Sequence, residues 1–259
     1  MISFEKYHGA GNDFILIDNR NSGIHLTNKQ IELLCNRHFG IGADGVILIQ
    51  LKEGYDFEMI YYNADGGLGS MCGNGGRCAV IFAHKLGMID KSASFLAFDG
   101  EHKAISNSDD VVKLSMANVT GIENSDDQII LNTGSPHYVK FVEDVNGADV
   151  VKEGREVRFG DRFRKEGINV NFASVNGDTI QMRTYERGVE AETLSCGTGT
   201  VAVAMAVAVM RKQMNQQEIS IQAPGGKLKV HFNRTSEDVF EDVWLEGPAT
   251  FVFAGKIEI

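Results

Sequence analysis

Apolar residues in this chain fall in short runs broken by glycine and polar turns, and many of the runs alternate with a two-residue period, the signature of half-buried strands. One such run follows Asn12 in "GAGNDFILID" and another follows Ser135 in "TGSPHYVKFVE". Next come "FGIGADGVILI" (39–49) and "EGINVNFASV" (166–175), each turn-rich and then apolar. "YYNADGG" (61–67) and "TYERGV" (184–189) each read as a strand running into a glycine turn. "SFLAFDGEHKAI" (94–105) and "ISIQAPGGKLKV" (219–230) each read as strand, glycine-containing turn and strand.

These segments come in pairs, and two cysteine-glycine phrases anchor the pairing: "MCGNGGRC" (71–78) and "SCGTGT" (195–200). Asn12 lies 60 residues before Cys72 and Ser135 lies 61 before Cys196. Gly100 follows Cys72 by 28 residues and Gly225 follows Cys196 by 29. Landmarks in the same order at near-equal spacing mean two copies of one β-rich unit. The predicted boundary gives a first domain over 1–116 that regains the C-terminal segment 249–259 as a returning strand, and a second over 117–248. After each cysteine comes an apolar segment, "CAVIFAHKLG" (78–87) and "TVAVAMAVAVMRK" (200–212). The second alternates Val and Ala like a strand, but its alanines, its length and its basic end favour a helix, as does the parallel with the first copy. A helix apolar on all sides must be central. The expected fold is α+β: two pseudo-symmetric domains, each a curved, mostly antiparallel β-sheet wrapped around a buried helix.

Composition narrows the function classes. Of 259 residues, 35 are acidic and 25 basic, for a formal charge of −10, and no basic stripe is present. A nucleic-acid partner is not expected, because phosphate binding needs clustered Lys and Arg. The start "MISFEKYHGAGNDF" lacks the basic and long apolar regions of a signal peptide, and the longest apolar run, Val201 to Met210, is about half what spans a bilayer. A soluble, cytoplasmic protein is expected. The cysteines are Cys35, Cys72, Cys78 and Cys196. They show no Cys-x-x-Cys pair and no histidine at zinc-ligand spacing, so neither a metal site nor disulfides are expected. Cys35 reads as core and Cys78 as part of the first helix.

Cys72 and Cys196 each precede a helix N-terminus rich in glycine. Bare backbone N–H groups and the helix dipole attract an anion there, and the same field favours thiolate over thiol. Each copy therefore offers a candidate base beside a carboxylate-binding nest. Two such units facing one molecule would remove a proton from one face of a carbon and return one to the other. The Cα–H of an amino acid is a very weak acid, so preorganised donors around its carboxylate must take the place of an electron-sink cofactor. No cofactor is expected.

The phrases "HGAGNDF", "RHFGIGADG", "NADGG", "MCGNGGRC", "GSPH", "INVNF", "YERG" and "SCGTGT" cover essentially the whole chain and resemble the diaminopimelate epimerase family, whose members need no cofactor. The double cysteine motif is specific to the wider superfamily of two-cysteine racemases, and the Asn of "CGNGGRC", where proline racemases usually carry His, points to this member. The resemblance implies interconversion of LL- and meso-diaminopimelate in a cleft between the two domains, with Cys72 and Cys196 as the acid–base pair. It implies that Gly73, Asn74, Gly197 and Thr198 hold the reacting α-carboxylate. It also places Asn12, Asn63, Asn169, Glu186 and Arg187 among the substrate contacts, with Arg187 on the distal carboxylate and Glu186 on the reacting ammonium. His137 with Glu186 is implied to support the protonation states of the thiols, and a homodimer is implied. Within the resemblance Ser135 stands where many members have Asn, Gly45 where some have Gln, and the loop from Glu186 to Cys196 is one residue longer than usual. Two other readings remain open from the sequence: a proline or hydroxyproline racemase of the same mechanism, and a non-catalytic amino-acid binder.

Overall fold

The protein is described by a computed structural model covering residues 1–69, 71–108, 110–125 and 127–259. The chain divides into two compact units, Met1–Leu114 joined by Gly247–Ile259, and Ser115–Glu246. The first unit carries β1 (Ile2–Gly9), β2 (Asn12–Asp18), α1 (Asn28–Cys35), β3 (Gly45–Gln50), β4 (Phe57–Asn63), α2 (Gly73–Lys85), β5 (Ser92–Ala97), β6 (Gly100–Ser108) and β7 (Val111–Ser115). The second carries β8 (Glu123–Ser125), β9 (Gln128–Asn132), β10 (Pro136–Phe141), α3 (Val150–Arg158), β11 (Asn169–Asn176), β12 (Thr179–Glu186), β13 (Ala191–Thr193), α4 (Gly197–Met210), β14 (Asn215–Ala223), β15 (Gly226–Arg234) and β16 (Phe240–Pro248). β17 (Thr250–Ile257) returns to the first unit and pairs antiparallel with β1.

The first unit's sheet runs β17–β1–β2–β3–β4–β5–β6–β7, parallel at β2/β3 and β4/β5 and antiparallel elsewhere. The second runs β8–β9–β10–β11–β12–β14–β15–β16, parallel at β10/β11 and β12/β14, with β13 added on β12. One unit therefore repeats the other strand for strand, with β17 in the place of β8. Parallel neighbours need a crossover, and the four helices provide them at equivalent points: α1 and α2 in the first unit, α3 and α4 in the second. The mixed α+β architecture matches the sequence expectation.

Helices α2 and α4 are the central ones. Ten residues of α2 and eleven of α4 are buried, and α4 is apolar on all sides. α2 begins at Gly73, ahead of the apolar stretch from residue 78 read in the sequence, and ends just before Gly87, which takes a φ of 71°. α1 and α3 lie outside the sequence reading. Thr27 and Gln30 form a capping box at the start of α1, and the Asp149 carboxylate accepts from the Lys152 N–H at the start of α3. α1 sets Ile31, Leu34 and Cys35 against Phe4, Ile15, Ile17, Val46 and Leu48. α3 closes an equivalent cluster in the second unit with Val150, Tyr138, Val170, Phe172 and Tyr185. Burial of each such side chain is worth about 1.5–3 kcal/mol, so α1 and α3 add apolar packing to their sheets beyond that of the central helices.

Candidate active site

Cys72 and Cys196 occupy the same place in the two units. Each is the N-cap residue of its unit's central helix, in extended backbone geometry, with φ of −103° and −115°. An extended N-cap turns its side chain off the helix axis and leaves the first backbone N–H groups without intrahelical partners. Gly73 and Asn74 open one helix and Gly197 and Thr198 the other. Cys72 is half-buried and Cys196 buried, and all four cysteines are reduced.

In the first unit the Cys72 thiol donates to Asn12 Oδ1 at 3.5 Å, and Asn74 Nδ2 donates to the same oxygen at 3.2 Å. β2 begins at Asn12, so the strand start and the helix start meet at this oxygen. Asn12 Nδ2 donates to Asp44 Oδ2 at 2.7 Å. Arg37 bridges Asp44 and Asp13, donating to Asp44 Oδ1 at 2.8 Å and to both Asp13 oxygens at 3.0 and 2.8 Å. Lys6 pairs with Asp13 at 2.7 Å. Burial pushes the Asp13 carboxyl up, but the bonds from Arg37 and Lys6 outweigh it and hold that carboxyl well below the usual carboxylate range.

A second anchor lies within α2. Arg77 is fully buried, donating to Asn74 Oδ1 at 2.8 Å, to the Gly73 carbonyl at 3.2 Å and to the Pro248 carbonyl at 3.3 Å. Its charge is thus surrounded by acceptors, as a buried cation requires. Asn63 ends β4 with an exposed side chain, and its backbone closes the turn to Gly67. Gly45, at the start of β3, has no room for a side chain: a Cβ there would sit 2.5 Å from the Tyr62 carbonyl and 2.5 Å from the Tyr61 ring.

In the second unit Thr198 Oγ1 lies 3.6 Å from Cys196 Sγ and 2.9 Å from His137 Nε2. His137 is completely buried; desolvation, with the Arg187 charge adding to it, lowers its pKa to about 3, so the ring is neutral at ordinary pH. Asn171 Nδ2 donates to His137 Nδ1 at 3.1 Å and to the Tyr138 carbonyl at 3.1 Å, while its Oδ1 accepts from Thr184 Oγ1 at 2.9 Å. Gly199 allows this approach, since a Cβ there would lie 2.6 Å from Asn171 Oδ1 and 3.3 Å from Cys196 Sγ.

Beside this chain a second cluster forms on Ser135. Its hydroxyl accepts from Asn169 Nδ2 at 2.9 Å and from Arg187 Nη2 at 3.3 Å. Asn169 Oδ1 accepts the Arg187 backbone N–H at 2.9 Å, and Arg187 Nη1 donates to the Glu166 carbonyl at 3.0 Å. Arg187 remains exposed. Glu186 Oε2 accepts from Thr193 Oγ1 at 2.9 Å. Asn12, Cys72, Gly73 and Asn74 therefore group in the first unit. In the second, His137, Cys196, Gly197 and Thr198 form one group, and Asn169, Arg187 and Ser135 form another. Sequence reasoning missed Asp44, Arg37, Arg77 and Asn171. Of these only Asn171 carried a local signal, two residues from Asn169 and so on the same strand face. Cys35 and Cys78 are buried, and burial pushes both thiols up to about 12, which removes them from thiolate chemistry. Among the described residues no cluster of His, Cys, Asp and Glu has a metal-binding arrangement, and no helix is long and apolar enough to cross a membrane.

The same architecture is found in proteins of distant sequence. A phenazine biosynthesis protein of the PhzF family from Bacillus anthracis superposes with a TM-score of 0.76 at 13% identity, over 100% of this chain and 99% of that one. A hydroxyproline epimerase from Agrobacterium vitis superposes with a TM-score of 0.68 at 15% identity, over 98% and 91%. At such identities the likeness establishes fold alone. Sequence relatives are far nearer. A diaminopimelate epimerase from Flavobacterium psychrophilum is 47% identical over 257 residues, covering 97% of this chain and 98% of the relative. One from Chlorobaculum tepidum is 40% identical over 260 residues, covering 97% and 99%. The family model for diaminopimelate epimerase matches residues 4–121 and 129–252. With relatives of this identity aligned nearly end to end and a family match across both units, the chain belongs to the diaminopimelate epimerase family.

Proposed function

We propose that the protein epimerises LL-diaminopimelate to meso-diaminopimelate without pyridoxal phosphate, using Cys72 and Cys196 as the two proton-transfer groups on opposite faces of one α-carbon. The observation that carries this reading is the duplication itself: two cysteines cap equivalent central helices, each with its own polar chain reaching the sulfur.

In the reaction one sulfur enters as thiolate and takes the α-proton. The other enters as thiol and delivers its proton to the opposite face. Charge that develops on the α-carboxylate is met by the N–H groups of Gly73, Asn74, Gly197 and Thr198 and by the two helix dipoles. Arg187 takes the distal carboxylate through two parallel bonds, which a planar guanidinium can make. Glu186 serves the reacting ammonium, and Asn12, Asn63 and Asn169 complete the contacts. His137, neutral in the fold, serves Cys196 through Thr198 and accepts no substrate proton. Ser135 holds Asn169 and Arg187 in register.

Asn74 favours this reading over a proline racemase. Its amide is tied to Arg77 and Asn12 and has no titratable group, so the position offers no extra base. The reading includes a soluble cytoplasmic enzyme of lysine and peptidoglycan-precursor synthesis, with no nucleic-acid or membrane partner. It also includes a homodimer, for which the exposed Phe251, Val252 and Phe253 of β17 offer an apolar strip.

The test is incubation of purified protein with LL-diaminopimelate and no added cofactor, followed by chiral analysis. Appearance of the meso isomer with solvent deuterium at one α-position is expected. Stable binding with no exchange would make the protein an amino-acid binder, and turnover of proline instead would make it the related racemase.

A further inference from the structure

The two sulfurs have the same helix position but opposite hydrogen-bonding surroundings. Asp44 receives the Asp13 N–H at 3.2 Å, Asn12 Nδ2 at 2.7 Å and Arg37 Nη2 at 2.8 Å. A carboxylate paired with a guanidinium only accepts. Asn12 can therefore present only its amino group to Asp44, which turns its carbonyl oxygen onto Cys72. The opposite side of that oxygen gives the same answer independently. Arg77 only donates, so Asn74 must offer it Oδ1 at 2.8 Å and turn Nδ2 onto Asn12 Oδ1 at 3.2 Å. Two chains, each ending in an arginine, thus fix one amide orientation. A carbonyl oxygen bonds sulfur only when the sulfur carries a proton.

At Cys196 the logic reverses. Asn171 is oriented by the Tyr138 carbonyl and the Thr184 hydroxyl, so its Nδ2 faces His137 Nδ1 and makes that nitrogen an acceptor. The neutral ring then carries its proton on Nε2 and donates to Thr198 Oγ1. The Thr198 hydroxyl keeps its own proton for Cys196 Sγ. A donor aimed at sulfur favours thiolate, while an acceptor favours thiol.

From these opposed chains we infer that Asp44 is a positioning residue that, through the Asn12 amide, keeps the proton on Cys72 in the free enzyme. The inference rests on the two-cysteine reading above and adds to it a residue that touches neither sulfur. The charge of Arg77 acts against this at Cys72, but its N–H groups are committed to Asn74, Gly73 and Pro248 and supply the sulfur with no donor. Cys78, the other ionisable group beside Cys72 in α2, is held as a neutral thiol by burial. On the other side the Arg187 charge helps keep His137 neutral.

The experiment measures iodoacetamide labelling of each cysteine in ligand-free protein against pH, by peptide mapping. The midpoint of each profile reports thiolate formation independently of how accessible the sulfur is. The Cys196 midpoint is expected to lie below that of Cys72. In Asp44→Asn the new amide can donate to Asn12, the Asn12 amide can turn, and its amino group then faces Cys72. The Cys72 midpoint should fall by about one pH unit, tenfold in thiolate fraction, with the Cys196 midpoint unmoved. Asp44→Glu, which retains an acceptor-only group, should keep the parent order. Cys35 and Cys78 should remain unlabelled in every folded variant, which separates the effect from general loosening. If Asp44→Asn fails to fold, Asp44→Gln, whose amide can also donate to Asn12, carries the same expectation for the Cys72 midpoint. A Cys72 midpoint at or below that of Cys196 in the parent, or unmoved in folded Asp44→Asn, would overturn the inference. Labelling needs no turnover, so absence of epimerisation in the parent would refute the proposed reaction and leave this result standing.

Discussion

Asn171 donates from Nδ2 to Nδ1 of His137 across 3.1 Å, deep in the second unit. The contact gives the imidazole one tautomer, and complete burial keeps it neutral, with its pKa lowered from 6.5 to about 3. An unfolded chain regains the ordinary histidine value. Between about pH 3 and 6.5 the unfolded state therefore binds a proton that the folded state refuses, and stability falls as pH drops through that window. Above it His137 contributes no pH dependence. On going from pH 7 to pH 5 the parent should lose about 2 kcal/mol more than His137→Gln, whose amide can still donate to Thr198. Urea unfolding of both proteins at the two pH values measures this difference. Equal losses would mean that His137 is not held neutral.

Replacing either Cys72 or Cys196 by alanine should abolish net epimerisation. A two-base reaction needs a proton relay on both faces, and loss of one relay typically costs 10²–10⁴-fold. Both positions are N-caps without a side-chain cap bond to the helix, so neither change should unfold the protein. Steady-state turnover alongside a thermal midpoint separates the two effects. A single variant turning over near the parent rate would end the assignment of that sulfur.

What was legible in the sequence follows from range. Alternating apolar runs and glycine turns are local signals, and in this chain they occur in pairs. They sufficed for the α+β architecture and for the two cysteines at helix starts. α1 and α3 were missed because they are short, 8 and 9 residues, and expose a polar face. Thr27 and Gln30 carried a capping signal that would have revealed the first. The network behind Cys72 was beyond reach for a different reason. Asp44 meets Asn12 from 32 residues away, and Arg77 reaches the carbonyl of Pro248 at the far end of the chain. Neither meeting leaves a periodic trace. A lone Arg inside a glycine-rich helix start could only be recognised as buried once β17 was known to close the first sheet.

Arg187→Lys should weaken substrate use far more than the same change at a surface arginine such as Arg164. The exposed guanidinium donates from Nη1 to the Glu166 carbonyl and from Nη2 to Ser135, which leaves further in-plane N–H groups for a carboxylate. An ammonium cannot make two parallel bonds. The expected outcome is a rise in KM of about tenfold, equivalent to about 1.4 kcal/mol, with little change in thermal midpoint. An unchanged KM, with substrates lacking the distal carboxylate still rejected, would place that recognition elsewhere.

Gly45→Gln tests whether the family's alternative residue can simply be restored. Gly45 pairs with Phe14 on one side of β3 and with Asn63 on the other. A Cβ added there meets the Tyr62 carbonyl at 2.5 Å and the Tyr61 ring at 2.5 Å. The ring can rotate or be trimmed, but the carbonyl belongs to the neighbouring strand and must shift with it. Such overpacking typically costs 1–3 kcal/mol. The displaced strand, β4, also carries Asn63. The substitution should therefore lower stability by about 1–3 kcal/mol and reduce activity rather than add a substrate contact. Coupling it with Tyr61→Ala relieves the ring clash alone, so rescue should be partial. Denaturant midpoints and kcat/KM of the single and double variants decide the matter. Full recovery in the double variant would show that the ring, and not the strand backbone, excludes a side chain at 45, and a gain in kcat/KM from the single change would show that the pocket had room for glutamine all along.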